Sequence, residues 1–169
     1  MNLYNELIKS EKKTASIMIT IYNDDYVMYP MGRSQDNKWV GEHKLKCFKT
    51  GKIEDFDQEN FYDNIIDFLD KAINYDKIGL DISTDEDFGT TMYTKAKKNK
   101  FIGYKMVSVH LDFREERKLN IRRHRRISVT EWGASDKDSI LLDDNCSKEE
   151  LMKSLSVQIS LANSDIVKK

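Results

Sequence analysis

The chain has few of the residues that interrupt or cross-link a fold. Its 169 residues include one proline, seven glycines and two cysteines. Cys47 and Cys146 lie far apart and outside any metal-ligand spacing, so neither a disulfide framework nor a zinc site is expected. No stretch approaches the roughly 18 apolar residues of a membrane-spanning helix, and the polar segment 1–13 lacks the apolar core of a signal peptide. These absences favour a cytoplasmic protein with reduced thiols.

Signatures of common catalytic and nucleotide-binding sites are also absent from the sequence. There is no glycine-rich phosphate loop, no G-x-S-x-G elbow and no cysteine nucleophile signature. His110 and Asp112 would share a strand face, but no third metal ligand accompanies them. The spacing of Asp81 and Asp85 resembles the start of a calcium-binding loop, yet Glu86 stands where that loop needs glycine. We therefore expect no cofactor and no metal site, and we favour a non-enzymatic protein.

The aromatic content indicates that the chain is folded. Seven Phe, eight Tyr and two Trp supply large apolar bodies for a core. The length suits one core, and no linker or low-complexity segment divides the chain. The sequence therefore predicts a single domain over residues 1–169.

Alternation of apolar and polar residues predicts a sheet. Strands are expected over residues 14–22, 26–29, 38–48, 77–83, 101–113 and 119–132. Asn23 and Asp24 favour a turn after the first strand, and Pro30, which has no N–H group, is expected to end the second. Because tight turns join consecutive strands, the pairing is expected to be mainly antiparallel.

Helical periodicity completes a predicted α+β fold. The helices are expected at about 57–74 and 147–166, packed on one side of the sheet, with a short N-terminal helix over residues 2–13. Asp57 can cap the first long helix, and Ser147 with Glu150 forms a capping box on the second. Residues 84–99 carry no clear pattern, and 133–145 resemble a loop.

Charge is segregated along the chain although the net charge is only -1. Residues 95–126 contain twelve basic and three acidic residues, and the remainder contains sixteen basic and twenty-six acidic ones. The densest basic run holds Arg122, Arg123, Arg125 and Arg126 on one predicted strand. Guanidinium groups suit carboxylates and phosphates. These arginines are predicted to contact an acidic protein, a nucleic acid or the chain's own acidic segments.

Two acidic clusters are the complementary candidates for partner binding. They comprise Asp63, Asp67 and Asp70 on the first long helix, and Asp85, Glu86 and Asp87 after a strand. An exposed row of carboxylates can complement a basic protein surface and speed its capture. The alternative for these residues is a solubilising surface.

A nuclease centre is a further hypothesis. Asp25 opens the second predicted strand, and Glu42-His43-Lys44 forms an E-x-K motif on the third. With the order α-β-β-β-α-β, these residues resemble the core of restriction-endonuclease-like nucleases. The resemblance implies magnesium ligands at Asp25 and Glu42, and charge stabilisation by Lys44. Asp24 stands where that family has a proline.

The favoured hypothesis is a non-enzymatic module that blocks or sequesters a macromolecular partner through charged surfaces. Compact, highly charged α+β domains without catalytic motifs are typical of small immunity proteins and of phage or mobile-element inhibitors of host defence. The alternatives are a nucleic-acid-binding protein that uses residues 95–126, and the metal-dependent nuclease. A protein partner is expected first and nucleic acid second, without membrane association.

Overall fold

The computed structural model describes residues 14–33, 39–40, 49–52, 58–73, 88–112, 118–129, 131–135, 137–143, 145–163 and 165. Eight strands and three helices lie in these ranges. In chain order they are β1 (Thr14–Tyr22), β2 (Asp25–Arg33), β3 (Trp39–Val40), β4 (Lys49–Lys52), α1 (Gln58–Ile73), α2 (Phe88–Lys98), β5 (Lys105–Asp112), β6 (Lys118–Arg126), β7 (Trp132–Ala134), β8 (Ile140–Asp143) and α3 (Lys148–Leu161). None of these helices is long and apolar enough to cross a membrane.

The strands form one sheet in which every pair is antiparallel. Its four long strands follow the order β2-β1-β5-β6, and Ile17 of β1 lies opposite Val109 of β5. Short strands pair with both outer strands: β3 and β4 with β2, and β7 and β8 with β6. The predicted α+β class with a mainly antiparallel sheet is confirmed.

The two halves of the fold have the same element order. Strands β1 to β4 are followed by α1, and strands β5 to β8 are followed by α3. Both helices contribute to the same core cluster, on the sheet face formed by the odd-numbered residues of β1 and β5. Within the described ranges, α2 has no counterpart in this repeated arrangement.

The main core lies between the sheet and the helices α1 and α3. Its largest fully buried side chains include Ile17, Ile19, Met28, Ile65, Leu69, Leu111, Ile121, Leu151 and Leu155. The α3 helix begins at the predicted capping box: the Glu150 backbone N–H donates to Ser147 Oγ at 3.2 Å, and the Ser147 backbone N–H donates to Glu150 Oε2 at 2.8 Å. This reciprocal pair satisfies two N–H groups that the helix leaves without partners.

The opposite face of the sheet is covered by α2, which corrects the predicted set of helices. The second core cluster there includes Met92 and Ala96 of α2, packed with Phe101, Tyr104 and the β1 residue Met18. Of the α2 side chains described, only Met92 and Ala96 are buried, so the helix carries too narrow an apolar stripe for its period to be recognised. The predicted helix over residues 2–13 lies outside the described residues.

The position of Pro30 was predicted wrongly, since β2 continues past it to Arg33. Pro30 lies opposite Ile17 of β1. At the other edge of β2, β4 pairs with residues 25–28 and β3 pairs with residues 32–33. Proline therefore falls between the two edge strands, where the sheet does not require its missing N–H group.

Other strand bounds also differ from the prediction. The predicted loop over residues 133–145 contains β8, which pairs with β6. The described part of the predicted strand 38–48 is the two-residue β3, and β4 follows it unpredicted. Residues 101–104 form a turn instead of the start of a strand. The predicted strand 77–83 lies outside the described residues.

The β1–β2 hairpin provides a test of local strain. Asn23 and Asp24 have φ values of 50° and 64°, so both central residues of this two-residue turn are left-handed. Glycine adopts this conformation without a Cβ clash, at the cost of more entropy in the unfolded chain. We expect Asp24→Gly to raise the free energy of unfolding by about 0.5–1 kcal/mol in urea titrations. Asp24→Ala retains a Cβ, and an equal gain in that variant would contradict the explanation.

Candidate functional site

The C-terminus of α2 is closed by a strained turn. The backbone N–H of Phe101 donates to Ala96 O at 2.7 Å, and that of Lys100 donates to Lys97 O at 3.1 Å. This is the hydrogen-bond pattern of a Schellman motif, whose left-handed residue is usually glycine. Here Lys100 has φ 54° and the next residue, Phe101, has φ 61°. Two consecutive non-glycine residues in this region persist only where surrounding contacts hold them.

Arg126 supplies such contacts from the end of β6. Its Nη1 donates to Lys100 O at 3.4 Å, and its Nη2 donates to Val129 O at 3.1 Å. Its guanidinium carbon lies 4.5 Å from the centroid of the Phe101 ring, which adds a cation–π contact. One buried side chain thus joins the turn after α2 to the loop between β6 and β7.

An aromatic cluster packs against the turn after α2 and the start of β7. The ring centroid of Trp132, at the start of β7, lies 5.8 Å from that of Phe101 and 5.3 Å from that of Tyr104. Tyr93 of α2 contacts both of those rings, at 5.1 and 6.1 Å. Such edge-on and tilted contacts add to the burial of each ring, so the loops rest on a packed layer.

The loops that Arg126 joins expose apolar side chains. Ile102 is 64% exposed, Ile127 51% and Val129 64%. We call these three side chains, with the exposed Lys97, Lys98 and Lys100 at the end of α2, the platform. No ion pair within the described residues involves these lysines. The platform combines apolar side chains with positive charge that no ion pair of the described ranges neutralises.

The predicted acidic residues of α1 lie on the other side of the sheet from the platform. Asp63 and Asp67 are exposed on α1, and Asp70 is partly buried there. Because α1 and α2 cover opposite sheet faces, the charge segregation of the sequence becomes a separation across the molecule. The second acidic cluster, residues 85–87, lies outside the described residues.

The four predicted arginines of β6 divide between the two sheet faces. Arg123 lies on the α1/α3 face, where its Nη1 donates to Leu161 O at 2.9 Å and its Nη2 pairs with Asp138 Oδ2 at 2.9 Å. The last turn of α3 has no basic residue of its own. Arg123 therefore supplies the positive charge that a helix C-terminus favours. Arg126 is also committed to internal contacts, whereas Arg122 and Arg125 remain partly exposed.

The β6 histidine lies among these arginines on the α2 face. His124 Nε2 is 2.9 Å from Ser108 Oγ on β5. Burial, and secondarily the nearby Arg122 guanidinium, lower the pKa of His124 from 6.5 to about 4. The imidazole is therefore neutral at physiological pH and does not add to the basic charge of β6.

Of the residues of the nuclease hypothesis, Asp25 alone lies within the described structure. Asp25 Oδ1 forms an ion pair with Lys52 Nζ at 2.5 Å across β2 and β4. Glu42 and Lys44 lie outside the described residues, as do Asp81 and Asp85. Within the described ranges, no group of three or more His, Cys, Asp or Glu side chains could hold a metal ion.

Comparison with known proteins identifies the fold. No family model matches the chain, and no curated protein matches it either. A Neisseria meningitidis protein of unknown function matches with a TM-score of 0.58 and 13% identity, covering 88% of this chain and 95% of its own. A chain from the CdiA-CT/CdiI toxin and immunity complex of Yersinia pseudotuberculosis matches with a TM-score of 0.57 and 13% identity, covering 88% and 97%. At this identity the likeness shows a shared fold.

Sequence reasoning missed the apolar part of the platform. Ile127 and Val129 were predicted to continue the alternation of a strand, but β6 ends at Arg126. For Ile102 a usable signal existed, because Asn99 and Gly103 bracket it and both residue types favour turns. No comparable turn residue marks the end of β6 in the sequence.

Arg126→Lys tests the tie between the two loops. A lysine keeps the charge, but it cannot present two donors in a planar fork and also stack on Phe101. We expect the free energy of unfolding to fall by about 1–2 kcal/mol in urea titrations. Arg125→Lys is the matched control, because that neighbouring side chain makes no hydrogen bond within the described residues. Equal effects of the two substitutions would contradict the role of Arg126.

The lowered pKa of His124 predicts a loss of folding stability at acidic pH. Its pKa is lowered on folding, so the unfolded chain binds a proton near pH 6.5 that the folded protein binds only near pH 4. Stability from this residue is complete above pH 6.5 and is lost as the pH falls toward 4, by at most roughly 3 kcal/mol. The groups facing it are Arg122 and Arg126 on β6, and Ser108 on β5.

The measurement compares the wild type with His124→Gln across this pH range. Carboxylates titrate in both proteins, so their contribution cancels in the difference between the two curves. We expect the variant to show the shallower fall in the free energy of unfolding. Parallel curves would show that His124 does not take part.

Proposed function

We propose that this protein is a non-enzymatic binding module that blocks or sequesters an acidic protein partner, in the manner of an immunity protein. The observation that carries the proposal is the platform, where exposed Ile102, Ile127 and Val129 accompany unneutralised lysines. Binding interfaces commonly combine an apolar centre, which excludes water, with a polar rim. Positive charge at such a rim selects acidic partners and speeds their encounter.

The rigidity of the platform supports this proposal. Arg126 and the aromatic layer hold both loops in place, so little conformational entropy remains to be lost on binding. The helix dipole alone accounts for part of the lysine enrichment at the end of α2. It does not account for 51–64% exposure of three large apolar side chains in the adjoining loops.

The positions of the acidic residues on α1 favour docking of an acidic partner on the α2 side of the sheet. Asp63, Asp67 and Asp70 lie on α1, beyond the sheet from the platform. An acidic partner would be repelled from α1 and attracted to α2, which orients the encounter. In this proposal the α2 lysines take the role first predicted for the β6 arginines, with Arg122, which projects from the same sheet face, as an accessory contact. The fold likeness to a chain of a toxin and immunity complex adds support for an inhibitory role.

The test uses tagged protein to capture a partner from nuclease-treated lysate of the source organism, followed by affinity measurements with the purified partner. We expect Ile102→Asp and Val129→Asp each to weaken binding by about 30-fold or more, because each places a carboxylate in the apolar centre against an acidic surface. The platform variants should also fail to suppress the partner's activity or its toxicity to a host cell.

Val157→Asp is the matched control. Val157 is also an exposed β-branched residue, at 42%, but it lies on α3 and away from the platform. The control should bind and inhibit like the wild type. The proposal fails if the control loses binding as strongly as the platform variants. It also fails if a parallel capture from lysate without nuclease treatment yields nucleic acid alone, released by salt as phosphate contacts require.

A further inference from the structure

An open cleft lies beside Thr91, Met92 and Lys95 of α2. Its volume is about 430 Å³, and it separates α2 from the β2–β4 edge of the sheet. The residues of its walls are Tyr22, Asp25, Tyr26, Val27, Thr50, Gly51, Lys52, Thr91, Met92 and Lys95. Sites for small organic molecules commonly have this size, with an apolar lining and a few polar groups.

The interior of the cleft is apolar and partly aromatic. Tyr22, Val27 and Met92 are buried side chains of the core cluster that α2 covers. The Tyr26 ring lies on the other face of the sheet, where its centroid is 5.5 Å from that of Phe61 on α1. The apolar wall of the cleft is therefore formed by Tyr22, Val27 and Met92.

The rim of the cleft has an excess of positive charge. Lys52 is neutralised by Asp25, with their side-chain atoms 2.5 Å apart. Lys95 is exposed, and no ion pair in the described part of the chain involves it. Thr50 and Thr91 add two aliphatic hydroxyl groups to the lining. An ammonium and two hydroxyls are suitable donors to a carboxylate.

We infer that this cleft binds a small organic anion that has an aromatic or aliphatic body. The body lies against Tyr22, Val27 and Met92, and the carboxylate is oriented toward Lys95. The inference does not depend on the proposed function, because the platform and the cleft share no residue.

The test is a titration of isotope-labelled protein with phenylacetate, followed by the amide signals in NMR spectra. We expect shifts at Thr50, Gly51, Lys52, Thr91 and Lys95. Phenylacetamide has the same body without the charge, and its dissociation constant should be about two- to fivefold larger, the contribution of one exposed charge pair. Thr91→Phe, which fills the cleft, should abolish the shifts.

Lys95→Gln and Lys97→Gln form a matched pair of exposed lysine substitutions on the same helix. Only Lys95→Gln removes a charge from the cleft, so it should weaken phenylacetate binding about fivefold and Lys97→Gln should not. The inference is overturned if the two variants bind alike, if phenylacetamide binds as tightly as phenylacetate, or if the shifts lie outside the cleft. None of these results bears on partner binding at the platform, which is measured separately.

Discussion

The contact between the Arg126 guanidinium and two backbone carbonyls determines how the α2 side of this protein is built. It joins the turn after α2 to the β6–β7 loop and lies over the Phe101 ring. A buried guanidinium is stable only when its donors find acceptors. Here the acceptors are carbonyls of loop residues that strand and helix hydrogen bonding leaves available. The same contact therefore gives both terminal nitrogens of the arginine an acceptor and fixes the position of both exposed loops.

The repeated order of four strands and a helix explains why α2 stands apart. Helices α1 and α3 belong to the two repeats and jointly bury one face of the sheet. The other face acquires a core of its own from α2 and from Phe101 and Tyr104 after it. The added helix also contributes to both candidate binding features, to the platform at its C-terminal end and to the cleft through Thr91, Met92 and Lys95. A structural scaffold and a candidate binding element are thus separated along the chain.

The elements that the sequence predicted well are those in which local pattern and tertiary packing agree. Residues 14–22 alternate strictly, and the Ser147–Glu150 capping box marks its helix start, so both were found. The prediction failed where tertiary contacts, and not the local sequence pattern, determine the secondary structure. Pro30 is tolerated within β2 because the two edge strands β3 and β4 leave a gap beside it. Helix α2 buries too few apolar side chains for a helical period to be visible in its sequence. The charge segregation was visible in sequence, but which basic residues remain available depends on partners such as Asp138 and Leu161.

The conformation of Lys100 is an argument for function at the platform. A left-handed conformation costs a non-glycine residue roughly 1–2 kcal/mol, and glycine is the usual occupant of this position in a Schellman motif. Selection for stability alone would favour glycine at residue 100, whose side chain is exposed. A lysine instead adds positive charge beside Ile102, at the edge of the apolar loops. Strain of this kind is concentrated at binding sites. In the proposed function, the positive charge of Lys100 contributes to partner recognition and offsets the stability that its conformation costs.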